Sequence, residues 1–176
     1  MAVLDRTARA FLARHRVGRL ATADAGKQPH VVPFCYAVVG DRLYFVIDEK
    51  PKAPGGRALK RMRNIAENPQ VAVVVDDYSE DWRALAFLLI RGNAMVVRGA
   101  GERGRAIAAL RKRYPQYRTM ELDGPSHPVV RITPTHLHFW QAREAARRVD
   151  GARSRPRAVR AGRPTTRQTR SRAPRR

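Results

Sequence analysis

Six basic side chains, Lys50, Lys52, Arg57, Lys60, Arg61 and Arg63, fall within 14 residues, and Asn64 follows them directly. Ammonium and guanidinium groups at that density suit an anion, phosphate above all, since each charge-assisted hydrogen bond is worth about 1.5–3 kcal/mol. The run brackets an expected helix start, where free amide N–H groups and the helix dipole already favour negative charge. It equally suits a solvated face of a basic protein, and composition alone favours that plainer reading. Gly99-Ala100-Gly101-Glu102-Arg103-Gly104 spells G-x-G-x-x-G, with Asp123 near the distance of a ribose-binding acid. Dinucleotide chemistry needs a second parallel strand ending at that acid, and Thr119-Met120-Glu121-Leu122 is a poor strand, so a solvated turn opening a helix is preferred. His136 and His138, two apart in a strand, share a face and could chelate a metal, but no third ligand is suggested nearby, and packing or exposure is the simpler expectation. There is no G-x-S-x-G, and Ser79, Ser126, Ser154 and Ser171 fall in loops or the C-terminal stretch. An enzyme built this way relies on a bound cofactor for its chemistry, and no catalytic side chain is assigned.

The charge is unevenly spread. The 176 residues include 36 Lys+Arg and 15 Asp+Glu, a net of +21, of which residues 147–176 supply +11 through 12 arginines and the single Asp150. Such low hydrophobicity with high charge predicts disorder for 147–176, leaving residues 1–146 as one domain of a size that buries a real core. Twenty-one of those 30 residues are Arg, Ala, Gly or Pro, the amino acids of GC-rich codons, so an unselected extension is favoured over nucleic-acid binding by counterion release. The longest apolar run, Ala84 to Ile90, is far short of the ~20 residues of a membrane span. Asp5 and Arg6 interrupt the N-terminus before the apolar stretch of about 7–15 residues that a secretory signal needs. A cytoplasmic protein without membrane contact is expected. Cys35, the single cysteine, sits between Phe34 and Tyr36 and is expected to be a buried, inert thiol.

The elements that must position these residues follow from periodicity. Leu4, Ala8, Phe11, Leu12 and His15 recur at helical spacing and predict an amphipathic opening helix ended near Gly18. Strands are expected over Val17–Ala23, Pro29–Val39 and Arg42–Ile47 as a meander, with Gly40-Asp41 as a two-residue hairpin turn. Pro33 cannot donate a ladder hydrogen bond, so its strand must be bulged or lie at an edge. A helix over about Ala58–Glu67, ended by Asn68-Pro69, precedes strands over Val71–Val75 and Leu85–Val97, the latter expected to bend or break at Gly92-Asn93. A helix over about Glu102–Tyr114 and a last strand over Val129–Trp140, kinked or bulged at Pro134, complete the domain. Asp76 to Trp82 forms an acidic loop whose Tyr78 and Trp82 could either seal the barrel end or face a partner. The sum is a mainly β protein, a six-stranded antiparallel barrel with three helices.

These residues also resemble a known family. Val17-Gly18-Arg19-Leu20-Ala21-Thr22, Gly26 to Pro33, Leu43-Tyr44-Phe45-Val46, Leu59 to Ile65, Asn68-Pro69 and Val71 to Asp76 are similar to the pyridoxamine 5′-phosphate oxidase-like superfamily. Asp48-Glu49-Lys50-Pro51-Lys52, Asp76 to Trp82 and Arg113-Tyr114-Pro115-Gln116-Tyr117 resemble its branch of probable coenzyme F420-dependent oxidoreductases. The resemblance covers residues 4–146 and implies an FMN-binding split barrel that pairs into a homodimer, with two cofactor sites at the interface. It implies that Lys52, Arg61 and Asn64, with neighbouring Lys50 and Lys60, hold the cofactor phosphate, and that the ring lies near Val32-Pro33 and Ile47. The implied activity is hydride transfer between coenzyme F420, or alternatively FMN, and a small substrate. One departure is that many relatives carry tryptophans where this chain has Ala86-Phe87, which implies an altered substrate pocket or lost activity.

Overall fold

A computed structural model of the chain describes residues 2–48 and 59–142. Helix α1 (Arg6–Arg14) is capped by Asp5, whose carboxylate accepts from Ala8 N at 2.7 Å, and it buries the expected stripe of Leu4, Ala8, Phe11 and Leu12. It ends earlier than expected, because strand β1 (Val17–Ala23) already contains Gly18. The remaining elements are β2 (Pro29–Cys35), β3 (Ala37–Val39), β4 (Arg42–Val46), α2 (Lys60–Glu67), β5 (Gln70–Asp77), β6 (Ala86–Val96), α3 (Ala100–Arg113) and β7 (Val129–Gln141). All strands join one antiparallel sheet in the order β2-β1-β5-β6-β7-β4-β3.

Seven strands replace the six expected because the second one breaks, at Tyr36 rather than at Pro33. The Tyr114 hydroxyl accepts from Tyr36 N at 3.0 Å and donates to Tyr36 O at 2.8 Å, so one side chain takes both backbone groups of that residue out of the ladder. β2 and β3 therefore sit at opposite edges of the sheet although one residue separates them. The sheet must curl until its two edges meet at Tyr36, and this makes it a split barrel. Pro33 lies in edge strand β2, where its missing N–H costs nothing, and the β1–β2 register runs unbroken from Val17↔Cys35 to Ala23↔Pro29.

The other turn signals also have their physical causes. Gly40 has φ 59° in the β3–β4 hairpin. β6 passes through Gly92-Asn93 as one bent strand, and its register with β7 shifts between Arg91 and Gly92, leaving Thr135 unpaired next to Pro134. A side chain at position 92 would bring a Cβ within 2.5 Å of Thr133 O, so only glycine fits. Gly99 caps α3, but the strand after that helix, β7, is antiparallel to β6, so the G-x-G-x-x-G stretch has no parallel crossover.

Inside the barrel, Leu20, Val73, Leu88, Ile90, Val130 and Ile132 are fully buried beneath Phe11 and Leu12 of α1. Each such side chain contributes about 1.5–3 kcal/mol. A second cluster packs Ala106, Ile107 and Leu110 of α3 on Tyr44, Val46, Tyr114 and Tyr117. Cys35 is half-buried rather than buried. Among the described residues no helix is long and apolar enough to cross a membrane.

Candidate cofactor site

Helix α2 presents two different faces. Lys60, Asn64 and Glu67, at i, i+4 and i+7, share the face turned to β1. Lys60 Nζ donates to Asp24 Oδ2 at 2.5 Å, Asn64 Nδ2 to Thr22 Oγ1 at 3.0 Å, and Glu67 Oε2 accepts from Ala25 N at 3.1 Å. The Lys60 ammonium, seconded by Gln28 N, holds the Asp24 carboxyl below its ordinary range. Of the expected phosphate ligands, Lys60 thus grips the β1–β2 turn and Asn64, fully buried, grips β1 itself.

Arg61, about 100° further round the helix, serves the other side. Its guanidinium is half-buried and feels Asp48 and Tyr117. Burial lowers its pKa, while the Asp48 carboxylate and Tyr117 push the other way. Asp48 stands just beyond β4, is 8% exposed, and accepts from the Tyr117 hydroxyl at 3.1 Å. Burial and then Asp48 raise the Tyr117 pKa. The preceding residue, Ile47, is buried, with its N–H on Pro128 O at 3.1 Å and its carbonyl facing His127 Nδ1 at 2.9 Å. A carbonyl only accepts, so that ring nitrogen carries the proton.

Val32 and Pro33 lie in edge strand β2, next to β1. Val32 is half-buried opposite Leu20 and Pro33 exposed opposite Arg19. They approach the end of β4 through Phe34, whose ring meets Phe45 at 5.4 Å. Lys50, Lys52 and Arg57 lie outside the described residues. Asp48, Tyr117 and His127 were missed as a group because three distant segments supply them, and no spacing signal connects them. His138 is exposed beside Phe87, ring centroids 5.7 Å apart. Tyr78 and Trp82 are 72% and 71% exposed, so neither seals the barrel.

Among the described residues, the buried side-chain nitrogens and oxygens without a hydrogen-bond partner are Arg61 Nε, Asn64 Oδ1 and Arg131 Nε. The first two are on α2. The third lines a cleft of about 640 Å³ beside it, together with Met62, Ile65, Met95, Val96 and Arg98. Buried polar groups are almost always satisfied in proteins, so the unpartnered Arg61 Nε, on the face of α2 turned away from β1, is a candidate donor to a polar ligand. Among the described residues no side chain caps the head of α2, and Met62 N and Arg63 N both turn back to Leu59 O. Arg61, and beside the helix an apolar cleft of ligand size whose Arg131 is already paired with Glu102 at 3.0 Å, are compatible with a phosphorylated ring cofactor.

Comparison with known proteins bears on the family. Residues 4–141 match the family model described as pyridoxamine 5′-phosphate oxidase. The chain is 32% identical over 96 residues to the 5a,11a-dehydrotetracycline/5a,11a-dehydrooxytetracycline reductase of Streptomyces rimosus, a match that spans 54% of this chain and 65% of that relative. A FAD-binding protein of Mesorhizobium loti superposes with a TM-score of 0.55 and 26% identity, over 76% of this chain and 89% of that one. A conserved hypothetical protein of Mycobacterium tuberculosis shares the fold at a TM-score of 0.63 and 20% identity, over 91% and 94% of the two chains. With the split barrel and most of its length matched, the chain belongs to the pyridoxamine 5′-phosphate oxidase family.

Proposed function

We propose that this protein is an oxidoreductase that holds coenzyme F420, or alternatively FMN, beside α2 and exchanges hydride with a small organic substrate. The observation that carries this reading is the buried Arg61 Nε, which has no hydrogen-bond partner. The family match, the reductase relative and the FAD-binding neighbour support a flavin-type cofactor and redox chemistry.

In this reading Arg61 and the first amides of α2 take the phosphate, with Lys50 and Lys52 arriving from the preceding loop. Lys60 and Asn64 fix the helix on β1, so that Arg61 is aimed before the ligand arrives. The backbones of Val32-Pro33 and Ile47 border the ring. Two charge-assisted bonds to phosphate supply about 3–6 kcal/mol, whereas micromolar binding needs about 8 kcal/mol. The rest must come from packing the ring against apolar surface. The bound ring accepts or delivers the hydride, and the protein orients it and excludes water.

A homodimer accords with the outer face of the sheet. Val74, Leu89 and His138 lie in one cross-strand row, Asp76, Phe87 and Trp140 in the next, and Phe87 stacks on Trp140 at 5.6 Å. Several of these are half-buried apolar side chains on an otherwise uncovered face.

Absorption titrations with coenzyme F420 and with FMN test the reading, since the two bound chromophores differ visibly. One of them should bind with an affinity of about micromolar or tighter. Failure of both to bind would remove the enzyme reading.

A further inference from the structure

A buried carboxylate stands near the arginine that is left short of a partner. Asp48 is 8% exposed, and its charge acts on the half-buried Arg61 guanidinium. The two come together because Arg61 lies one helical turn before Ile65 on the same stripe of α2, and Ile65 packs in one core cluster with Ile47, the neighbour of Asp48. A buried carboxylate near a guanidinium ordinarily closes on it as a forked ion pair. Here Asp48 Oδ2 instead accepts from the Tyr117 hydroxyl at 3.1 Å, and Arg61 Nε has no partner.

The phenol is supplied from a well-anchored position. Tyr117 is 4% exposed, lies in the turn Pro115–Arg118 that follows α3, and its ring meets Tyr114 edge-on with centroids 5.5 Å apart. Its N–H donates to Tyr114 O at 3.0 Å, and its carbonyl accepts from Arg111 Nε at 3.2 Å. Burial and then Asp48 push its pKa up, so the hydroxyl keeps the proton it donates.

We propose that Tyr117 is a positioning residue of the cofactor site, whose hydroxyl holds the Asp48 carboxylate off Arg61 and so keeps that guanidinium open for the cofactor phosphate. The inference rests on the function proposed above and adds the group that keeps its phosphate ligand available. Without the hydroxyl, a carboxylate with so little access to water turns to the unpartnered guanidinium. A phosphate must then displace an anion that is already in place.

The test compares the natural chain with Tyr117→Phe, which keeps the ring in the core and removes only the hydroxyl. FMN is titrated against riboflavin, and coenzyme F420 against its phosphate-free deazaflavin. In Tyr117→Phe the phosphorylated form of whichever cofactor binds should be held about tenfold more weakly, and the phosphate-free form equally well. Asp48→Asn should bind the phosphorylated form at least as tightly as the natural chain, and adding Tyr117→Phe to it should change nothing further. Phenylglyoxal labelling of Arg61, read by peptide mass spectrometry, should slow in Tyr117→Phe and recover in the double variant, with no cofactor present. A hydroxyl that only supports the fold would weaken both cofactor forms alike, or would act equally whether Asp48 is present or replaced, and either result overturns the proposal. Weaker phosphate binding in Asp48→Asn alone also overturns it, because the carboxylate would then support Arg61; this single variant keeps the test decisive if Tyr117→Phe does not fold. If the natural chain binds neither phosphorylated cofactor, the proposed function falls and this inference with it. If it binds one and Tyr117→Phe binds it equally, the inference alone falls.

Discussion

Arg113 and Arg61 are both half-buried arginines on helices, and their surroundings differ in a way that separates scaffold from site. Arg113, the last residue of α3, donates to Leu12 O at 2.8 Å, Ala13 O at 3.2 Å, His15 O, and the Tyr114 hydroxyl at 3.2 Å. Its guanidinium also lies 5.2 Å from the Tyr36 ring centre and 5.7 Å from that of Tyr114. Four of its five N–H donors are used, three of them on carbonyls at the end of α1, where Leu12 O and His15 O also face the Tyr36 hydroxyl. Arg61 instead keeps a buried Nε with no partner, facing a carboxylate and a phenol at the end of a strand. A side chain whose donors are used by its own protein is structural; in the proposed function, the one left short is the ligand's.

The largest effect should come from disturbing the completed arginine. Arg113→Ala leaves Ala13 O without its partner, leaves Leu12 O and His15 O to share the Tyr36 hydroxyl, and removes the cation stacked on Tyr36, and should cost about 2–4 kcal/mol in urea unfolding. Arg113→Lys should fall between, since it keeps the charge but not the planar fork. Arg61→Ala should do the reverse. Its stability should stay within about 1 kcal/mol of the natural protein, because an unpaired buried donor is removed along with the charge. Binding of the phosphorylated cofactor should weaken about 10- to 100-fold, while the dephosphorylated form should bind both proteins alike. An equal loss for both forms would place Arg61 on the ring instead of the phosphate.

The same contrast shows what could be read in the sequence. The edge position of Pro33, the Gly40-Asp41 hairpin, the bend at Gly92 and the three helices follow from local chemistry, and local chemistry is what a sequence displays. The break at Tyr36 depends on a hydroxyl supplied by Tyr114, 78 residues away, and nothing near Tyr36 announces it. Within the site, the basic residues were legible as a group, but their division was not. Helical spacing puts Lys60 and Asn64 on one face and Arg61 on another, yet which face meets β1 is decided by packing. Asp48, Tyr117 and His127 converge only after β4, the turn after α3 and the approach to β7 are in place.

Asn64 tests the pinned face of α2. Asn64→Ala should destabilise by about 1–2 kcal/mol, since it removes a buried hydrogen bond and leaves the Thr22 hydroxyl with only its bond to His30 O, at 3.4 Å. A double-mutant cycle with Thr22→Ala should recover a coupling of about 0.5–1 kcal/mol. Near-zero coupling would mean that Asn64 is kept for its unpartnered Oδ1, and therefore for the ligand.

The smallest effect concerns Asp24 and Lys60, and its sign can be worked out. The Asp24 carboxyl titrates lower in the folded protein than in the unfolded chain, chiefly through the Lys60 hydrogen bond. Between those two values the unfolded chain binds more protons, so this contribution is complete above the ordinary carboxylate range, about pH 4, and is lost as the pH falls below it. Urea midpoints followed downwards from about pH 5 should therefore drop more steeply for the natural protein than for Asp24→Asn, and added salt should narrow the gap because the pair faces solvent. Glu102, whose carboxyl is also held low by the Tyr44 hydroxyl and Arg131, titrates with the same sign and must be present in both chains. Identical slopes would show that Lys60 is not committed to the β1–β2 turn. Its ammonium would then be free to join Arg61 at the phosphate, and the division between the two faces of α2 would be narrower than the geometry indicates.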